Sequence, residues 1–241
     1  MKKALVVIPT YNEAENIVRL INEILSLKVR DVDFDVLVID DNSADGTANL
    51  VNGLRNKNDN VFIIERPGKM GLGTAYIEGF KFAIKNNYDY VFEMDADFSH
   101  DPMAIPDFIT KMGEYDLVIG SRYVNGIAVV NWPLSRLIIS IGASIYTRMI
   151  TRLPVKDVTA GFMCYKVISL KQINFEKIKS NGYSFQIEMK YRMWKKGFKL
   201  LEIPILFVDR RAGVSKMSRK IVYEASWMVW KLKFMSLARK L

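Results

Sequence analysis

The sequence predicts an α/β protein whose central sheet is mainly parallel and flanked by helices. The first observation is that short apolar runs, rich in Val, Ile and Phe, alternate with longer amphipathic stretches through the first half of the chain. Strands separated by helices form βαβ units, whose strands are parallel. The second observation is that clusters of polar residues follow most of these runs. In a parallel sheet those positions share the edge at which ligands bind.

The alternation gives five strands and four helices in the first half. The strands are expected at residues 4–8, 35–39, 61–65, 90–94 and 117–120. The helices are expected at residues 15–28, 44–56, 73–85 and 102–112, with Asn12 and Ser43 as N-caps and Pro102 near a helix start.

The second half is less regular. It predicts a helix at 134–152, a strand at 160–165, a helix at 185–196, a strand at 200–207, a loop at 209–216 and a last helix to the C-terminus. We therefore expect one α/β domain over residues 1–216, followed by a basic amphipathic helix over 217–241.

Composition excludes several classes of protein. Half of the 241 residues are apolar, 12% are aromatic and 25% are charged, which excludes a disordered or fibrous chain. The single cysteine, Cys164, excludes a disulfide scaffold and a cysteine-rich zinc site, and its apolar neighbours favour an inert core thiol. The single histidine, His100, excludes a multi-histidine metal centre. The most apolar uncharged run, 137–147, is shorter than the ~18–20 residues of a membrane helix.

Charge is distributed unevenly between the two halves. Residues 1–130 carry 13 basic and 20 acidic side chains, a net charge of −7, whereas residues 131–241 carry 22 basic and 6 acidic, a net charge of +16. An acidic half suits a site that collects a divalent cation. A basic half suits an anionic partner, either nucleic acid, a phospholipid surface or a phosphate-bearing substrate, and a solvated basic face is the alternative.

The fourth apolar run ends in two carboxylates. Asp95 and Asp97 follow it with one small residue, Ala96, between them. Side chains two residues apart on an extended chain point the same way, so both carboxylates would face one cation. Hard oxygen ligands suit Mg²⁺ or Mn²⁺, and Mg²⁺ takes one or two carboxylates together with substrate phosphates. A solvated Asp-x-Asp turn is the alternative, and the place at the end of a buried strand favours the cation site.

Other clusters suit a nucleoside diphosphate. Asp41 offers a carboxylate to a base or ribose edge, although Ser43 nearby also suits a helix N-cap. After the first run, Tyr11 offers a stacking face and Glu13 an acceptor. The glycine-rich stretch 66–74 supplies glycines for close packing and a cation near a diphosphate, but it matches neither the P-loop nor the dinucleotide fingerprint.

Cations of the second half suit phosphate groups. Arg122 follows the fifth run and would neutralise a diphosphate leaving group. Arg136 and Ser140 are four residues apart, so they share one helix face. Arg210 and Lys216 lie in a glycine-containing loop that suits closure over an anion, with a solvated hairpin as the alternative.

The C-terminal segment has the composition of a helix at a lipid interface. Residues 208–241 carry nine basic and two acidic side chains, interleaved with Trp227, Met228, Trp230, Phe234 and Met235. A helix would align apolar side chains at Ile221, Ala225, Met228, Leu232 and Met235, with lysines beside them. This stripe is expected either to lie in a membrane surface or to pack on the domain.

Seven motifs occur in order along the chain: IPTYNEAENI, VIDDNSADGT, GLGTAYIEGF, MDADFSHDP, IGSRYVNG, NWPLSRLIIS and VDRRAGVSK. Together they resemble the family-2 glycosyltransferases of GT-A fold, and among them the dolichyl-phosphate (polyprenyl-phosphate) mannosyltransferases of the type without transmembrane helices. The similarity spans residues 3–220 and implies that residues 1–216 form the catalytic domain.

The resemblance implies roles for residues that match the motifs. It implies a nucleotide-sugar pocket of Pro9, Tyr11, Glu13, Ile39, Asp41, Asp95, Ala96, Asp97, Arg122, Arg210 and Lys216. It implies a catalytic set of Asp97, Arg122, Arg136, Arg210 and Lys216, and an acceptor-phosphate site of Arg136 and Ser140. It implies metal ligands Asp95 and Asp97, with Ser99 where some relatives carry a Gln.

The implied reaction is metal-dependent, inverting transfer of mannose from GDP-mannose to a polyprenyl (dolichyl) phosphate, with Mg²⁺ or Mn²⁺ as cofactor. The alternative is transfer of glucose or another hexose from a UDP-sugar to polyprenyl phosphate or another acceptor. The expected partners are a membrane surface and a small membrane-anchoring subunit, at the cytoplasmic face of a membrane. A nucleic-acid-binding module is disfavoured, because acidic strand ends would repel a phosphate backbone.

Overall fold

The computed structural model describes residues 1–209 and 219–238, without the side chains of 219–226 and 237. These residues form the strands β1 (Lys2–Thr10), β2 (Val32–Asp40), β3 (Val61–Glu65), β4 (Tyr90–Glu93), β5 (Leu117–Ser121), β6 (Val129–Val130), β7 (Met163–Lys166), β8 (Leu200–Pro204) and β9 (Phe207–Val208). The α-helices are α1 (Ile17–Ser26), α2 (Thr47–Arg55), α3 (Leu72–Lys85), α4 (Ile105–Lys111), α5 (Leu134–Thr151), α6 (Val167–Leu170), α7 (Gly182–Lys195) and α8 (Arg219–Leu237).

The predicted α/β class with a mainly parallel sheet is confirmed. Seven strands form one sheet in the order β3-β2-β1-β4-β7-β5-β8, and β6 pairs with β9 in a second sheet. Every pair in the large sheet is parallel except those of β7, which runs antiparallel to both β4 and β5. The carboxyl ends of β1, β2, β4 and β5 therefore meet at one edge.

The core lies on both faces of this sheet. Along β1, Leu5 and Val7 face one apolar cluster, whereas Ala4, Val6 and Ile8 face another. Because both faces are covered, the strand sequence is continuously apolar instead of alternating with polar residues.

Helix α3 lies directly on the central strand. A Cβ atom at Gly79 would stand 2.5 and 2.7 Å from the two γ-carbons of Val7, so only a glycine allows this approach. The close packing fixes the N-terminal end of α3 near the carboxyl edge of the sheet, where the glycine-rich stretch precedes it.

Three predicted elements differ from the observed ones. The strand expected at 160–165 begins only at Met163, after an irregular segment. The strand expected at 200–207 is two strands, because β8 pairs with β5 up to Pro204, whereas Phe207 and Val208 form β9 by pairing with β6. The helix expected at 185–196 begins at Gly182, because Asn181 accepts a hydrogen bond from the Gly182 N–H.

The predicted N-caps Asn12 and Ser43 are wrong. Helices α1 and α2 have Asn16 and Gly46 at their N-cap positions, without a side-chain capping bond. Asn12 and Ser43 instead join the loops after β1 and β2. The Asn12 N–H donates to Ser43 Oγ at 2.9 Å, and the Asn12 side-chain oxygen accepts from the Ala44 N–H at 3.0 Å.

Helix α8 packs on the domain through Val229 and Leu232, both fully buried in the core cluster that contains α7. Of the two alternatives expected from the sequence for this stripe, packing on the domain is the one observed at Leu232. Ile221 and Ala225 lie outside the described side chains. The exposed apolar face of α8 is formed by Trp227, Trp230 and Phe234.

Helix α5 buries hydroxyl groups and exposes apolar side chains. Its buried residues are Ser140, Ser144, Thr147 and Thr151. Its exposed residues include Leu134, Ile138, Ile145 and Met149. This polarity is the reverse of that of an ordinary surface helix, and such exposed patches mark interaction surfaces. Within residues 1–209 and 219–238, no helix is both long and apolar enough to cross a bilayer.

Candidate active site

A cleft of about 1160 Å³ opens at the carboxyl edge of the sheet. It exceeds the roughly 300–1,000 Å³ of a drug-sized ligand site, so it has room for a two-part substrate. Ten of the residues singled out from the sequence line it: Pro9, Tyr11, Glu13, Asp41, Asp95, Ala96, Asp97, Ser99, Arg122 and Arg136. Arg210 and Lys216 lie outside the described residues.

Two predicted site residues do not line the cleft. Ile39 lies on β2 with its side chain fully buried in the core, because its position alternates toward the helices that cover the sheet. Ser140 is buried on α5, where its Oγ accepts a hydrogen bond from the Tyr123 hydroxyl at 2.7 Å. Ser140 therefore does not line the cleft, although Arg136, one helical turn before it, does.

The two aspartates that end β2 have different surroundings. Asp40 is buried and accepts hydrogen bonds from Thr10 Oγ1 at 2.7 Å and from Ser43 Oγ at 2.6 Å, so it organises the loops. Asp41 lines the cleft, and its Oδ1 accepts from Arg66 Nε at 2.6 Å. Among residues 1–209 and 219–238 none donates to the second oxygen of Asp41, which leaves it as an acceptor for a ligand.

Arg66 is a cleft residue whose role the sequence left open. Besides its bond to Asp41, its guanidinium donates to Thr74 Oγ1 at 2.8 Å and to the Gly71 carbonyl at 3.3 Å. These contacts use all three guanidinium nitrogens. Arg66 thus fixes Asp41 against the glycine-rich loop. The cation of that loop that keeps an exposed position is Lys69, whose Nζ lies 3.5 Å from the ring centroid of Tyr11.

Glycine is required in this loop because the side chain of Asn181 packs directly against its backbone. Gly71 has φ of 99°, and a Cβ there would stand 1.8 Å from Asn181 Nδ2. The Asn181 side-chain oxygen accepts from the N–H groups of Gly73 and Gly182, both at 2.9 Å. One amide therefore joins the N-termini of α3 and α7 at the cleft, and the close packing expected of these glycines is present.

The acidic pair stands in a bend, not on an extended strand. Strand β4 ends at Glu93, and Phe98 has a left-handed φ of 58°. Both carboxylates still line the cleft. Asp97 Oδ1 accepts from the Ser99 N–H at 3.0 Å, and the Tyr76 hydroxyl lies 3.5 Å from Asp95 Oδ1.

The donor set fits a hard divalent cation that takes part of its coordination from a substrate. Ser99 Oγ is buried and finds no hydrogen-bond partner among the described residues, which leaves one oxygen beside Asp97 to be satisfied. Within the same residues, no three His, Cys, Asp or Glu side chains form a metal-binding group. Two carboxylates with further ligands from diphosphate and water match the coordination habit of Mg²⁺.

His100 lies directly beneath the acidic pair and contacts its backbone. Its Nδ1 accepts a hydrogen bond from the Asp95 N–H at 3.1 Å, and its ring stacks on Phe162 at 5.1 Å between centroids. Burial lowers the pKa of His100, so the ring is neutral at pH 7.

Arg122 is held by a carboxylate that the sequence analysis missed. Asp157, fully buried, accepts from the Arg122 backbone N–H at 3.0 Å and from its Nε at 2.6 Å, and Thr159 Oγ1 accepts from Nη2 at 2.9 Å. Among the described residues none accepts from Nη1. The guanidinium expected to meet a diphosphate is therefore fixed in place with one nitrogen left for a ligand.

Arg136 is also paired. Its Nη1 donates to Asp209, and its guanidinium carbon lies 4.2 Å from the ring centroid of Trp132. The pair joins the start of α5 to the chain that follows β9. Asp209 is the last residue described before the loop that contains Arg210 and Lys216.

Sequence reasoning missed several lining residues: Thr159, Gly161, Asn181 and Gln186. Asn181-Gly182 before a helix is an N-cap signal that was available. Asp157 and Thr159 carry no local signal, because they lie in irregular chain and find their partner 35 and 37 residues away.

Curated relatives resemble the chain over nearly its whole length. It is 42% identical over 225 residues to a Micrococcus luteus protein named undecaprenyl-phosphate mannosyltransferase, covering 92% of this chain and 90% of that protein. It is 39% identical over 230 residues to a Mycolicibacterium smegmatis protein named polyprenol monophosphomannose synthase, covering 95% and 86%. The resemblance drawn from the motifs is thereby confirmed.

A solved structure shares the fold. Glucosyl-3-phosphoglycerate synthase from Mycobacterium tuberculosis, in complex with Mn²⁺, UDP-glucose and phosphoglyceric acid, matches with a TM-score of 0.69 over 97% of this chain and 80% of that one. At 16% identity this likeness shows the GT-A-like fold alone. Residues 5–173 match the family described as Glycosyl transferase family 2. With that match and relatives at 39% and 42% identity, the chain belongs to glycosyl transferase family 2 and is a glycosyltransferase.

Proposed function

We propose that this glycosyltransferase moves mannose from GDP-mannose to a polyprenyl phosphate, with inversion and with the help of a divalent cation. The observation that carries the proposal is the convergence of β1, β2 and β4 on one cleft. It brings together an aromatic and carboxylate pair, Tyr11 and Asp41, and the acidic pair Asp95 and Asp97. The names of the relatives at 39% and 42% identity supply the sugar and the acceptor class.

The nucleoside is assigned to the β1–β2 end of the cleft. Asp41, oriented by Arg66, accepts from the base or ribose, and Tyr11 offers a ring face. Asp95 and Asp97, with Ser99, would hold the cation, which when bound neutralises charge on the donor diphosphate. The structural neighbour was solved with Mn²⁺ and UDP-glucose, which supports a divalent cation and a nucleotide sugar as ligands.

The reaction is a single displacement. A phosphate oxygen of the acceptor forms a bond to the anomeric carbon as the bond from that carbon to the donor diphosphate breaks, and GDP leaves with the electron pair. An α-linked donor then gives a β-linked product. The attacking oxygen is already anionic at neutral pH, so the site needs alignment and charge stabilisation more than a strong base.

The cations divide this work. Arg122, fixed by Asp157, presents Nη1 to the departing diphosphate. Arg136, at the start of α5, also lines the cleft and is assigned to the acceptor phosphate; its guanidinium and that of Arg122 lie 4.2 and 5.2 Å from the ring centroid of Trp132. Arg210 and Lys216 are carried over from the motif resemblance as further phosphate contacts.

The protein contacts a membrane surface through α5 and α8. We define the apolar surface as Leu134, Ile138, Ile145 and Met149 of α5 together with Trp227, Trp230 and Phe234 of α8. Trp230 Nε1 donates to Tyr146 Oη at 3.0 Å and so joins the two helices. Exposed Arg148 and Lys231 lie beside it and favour anionic lipid. Because α5 also lines the cleft, its outer face would place the mouth near a membrane-held acceptor at the cytoplasmic face.

Transfer of radiolabel tests the reaction. Purified protein is incubated with vesicles that contain polyprenyl phosphate, with labelled GDP-mannose or UDP-glucose, and with EDTA, Mg²⁺ or Mn²⁺. We expect cation-dependent label in the organic phase from GDP-mannose, and a β-anomer by NMR of the product. Label from UDP-glucose alone would establish the alternative sugar. An α-linked product would refute direct displacement.

Two pairs of variants, each a test and its matched control, examine the assignments. Asp97→Asn should lower transfer at least about 100-fold, whereas Asp107→Asn, an exposed carboxylate on α4, should not change it. Trp227→Ala should weaken flotation with anionic vesicles, whereas Ile168→Ala, an exposed apolar residue elsewhere, should not. Equal flotation of wild type and Trp227→Ala would contradict membrane contact through α8 and would favour attachment through a membrane-anchoring subunit.

A further inference from the structure

One wall of the cleft is made of irregular chain. The residues between α5 and β7, numbers 152–162, form no helix or strand, yet Thr159, Ala160 and Gly161 line the cleft. Buried backbone groups need hydrogen-bond partners, and this segment meets a strand ladder at its last residue, where the Phe162 carbonyl accepts from the Gly120 N–H at 2.9 Å. Side chains from other elements therefore have to hold it.

Lys190 holds the segment from behind. It lies on α7 with its side chain fully buried, and it does not line the cleft. Its Nζ donates to the carbonyls of Ala160 at 2.7 Å and Val158 at 3.2 Å, and to the Gln186 carbonyl of its own helix at 3.3 Å. An ammonium group has three donors, so all three are used on backbone oxygens.

Other side chains hold the same segment from two more directions. Glu202 on β8 accepts from the N–H groups of Lys156 at 2.6 Å and Asp157 at 2.8 Å. From the cleft side, Arg122 binds Asp157 and Thr159. The position of the Arg122 guanidinium therefore depends on where this backbone stands.

The segment also approaches the acidic pair. A Cβ at Gly161 would lie 3.6 Å from His100 Cε1, 3.8 Å from Gln186 Nε2 and 4.0 Å from Asp95 Oδ2. A shift of Ala160 would carry Gly161 toward or away from Asp95. Lys190, bonded to the Ala160 carbonyl, sets that separation.

We propose that Lys190 is a positioning residue for glycosyl transfer, which fixes from behind the backbone that places Arg122 and Gly161 against the acidic pair. This role rests on the proposed function. Without the ammonium group the Val158 and Ala160 carbonyls lose their partner, and the wall shifts. A displacement of about 1 Å in such a site lowers the rate about 100-fold.

The nucleoside contacts distinguish this role from a general loss of structure. Asp41, Arg66 and Tyr11 belong to the loops after β1, β2 and β3, and Lys190 contacts none of them. A positioning role should therefore lower kcat while leaving the affinity for GDP unchanged. A merely structural role would lower stability and GDP affinity together.

The test compares three full-length variants with the wild type. Lys190→Met removes the three hydrogen bonds of the ammonium group. Glu202→Gln weakens the hydrogen bonds that the partly exposed Glu202 accepts from Lys156 and Asp157. Lys166→Met is the control, because Lys166 donates to the Gly113 carbonyl at the exposed surface. Transfer kinetics, GDP binding by calorimetry and melting temperature are measured for each. We expect kcat to fall about 100-fold in Lys190→Met and about tenfold in Glu202→Gln. GDP affinity should stay within about threefold, and Lys166→Met should match the wild type.

Several results would overturn the inference. A folded Lys190→Met with kcat within threefold of the wild type would do so, as would parallel loss of GDP affinity. If Lys190→Met does not fold, unchanged kcat in Glu202→Gln overturns it. Absence of transfer by the wild-type protein would refute the proposed function and this role with it, whereas an active wild type with unaffected variants refutes this role alone.

Discussion

Substitution of Gly79 by alanine tests the packing of α3 on β1, which sets the position of the glycine-rich loop. The added Cβ would lie 2.5 and 2.7 Å from the γ-carbons of Val7 and 3.1 Å from its Cβ. Val7 is fully buried on a central strand and is β-branched, so it has no flexible end that can move away. The helix must therefore shift away from the sheet.

The magnitude follows from two opposing effects. Overpacking of this kind destabilises by about 1–3 kcal/mol, and contacts this short against a rigid side chain place Gly79→Ala near the upper end. Alanine stabilises a helix interior by about 1 kcal/mol relative to glycine. We expect the free energy of unfolding to fall by about 2 kcal/mol.

Gly53 in α2 provides the matched control. A Cβ at Gly53 would have no atom within 4 Å, so Gly53→Ala keeps only the helix effect and should stabilise by about 0.5–1 kcal/mol. Urea unfolding followed by far-UV circular dichroism measures both variants. Opposite shifts of the midpoint are expected. A Gly79→Ala protein as stable as the wild type would refute the packing argument. A Gly53→Ala protein no more stable than the wild type would refute the expected effect of alanine on helix stability.

Three further predictions concern the site and the groups beneath it. Gly71→Ala should weaken GDP binding at least about tenfold and destabilise by about 1–3 kcal/mol, because its Cβ would collide with Asn181 and its φ of 99° is strained for alanine; calorimetry with GDP measures it. Asp157→Asn should destabilise by about 3–5 kcal/mol, because it leaves the buried Arg122 without a counter-charge; urea unfolding measures it. Burial raises the pKa of Glu93 from 4.5 to about 7. The folded protein thus binds this proton more tightly than the unfolded chain, and the resulting stability, about 3 kcal/mol at ~1.36 kcal/mol per pH unit, is lost as the pH rises from 4.5 to 7; Glu93→Gln should abolish that pH dependence in unfolding curves.

Each of these has a control and a contrary outcome. Gly68→Ala lies in the same loop with open space at its Cβ, so equal GDP affinities in Gly68→Ala and Gly71→Ala would exclude the collision. Arg19→Ala breaks an exposed ion pair with Glu23 and should lower the free energy of unfolding by less than about 1 kcal/mol. An equally small loss in Asp157→Asn would show that the ion pair of Asp157 with Arg122 behaves like an exposed one. An unchanged slope of stability with pH in Glu93→Gln would assign the titration to another group.

The elements that the sequence predicted well are those with strong local patterns. The five apolar runs of the first half became β1 to β5 with shifts of a few residues at their ends, because a run of buried β-branched residues has few other conformations. The strand expected at 160–165 was placed poorly, since the carbonyl of its first residue, Ala160, is bonded to Lys190 and not to a neighbouring strand. That hold comes from a side chain on a different helix.

In the candidate site too, the residues with a local sequence pattern were predicted and the others were not. Asp41, Asp95 and Asp97 were predicted because each follows an apolar run, and parallel strands bring such positions to one edge. The hydrogen-bond partners of the arginine side chains were not predicted. Arg122 was expected to neutralise a diphosphate, but the sequence did not show that its Nε and Nη2 donate to Asp157 and Thr159, which lie in chain that carries no pattern.

By itself the sequence determined the α/β class, the family resemblance and which carboxylates stand at the edge of the sheet, because periodicity and motif order are local properties of the chain. Only the tertiary structure decided that β7 runs antiparallel between β4 and β5, that Leu232 is buried while Trp227 is exposed, and which acids pair with Arg122 and Arg136. These outcomes join residues 35 to 73 positions apart in the case of the ion pairs. Partners at such separations are selected by which groups lose water together when the chain packs, and no local pattern encodes that choice.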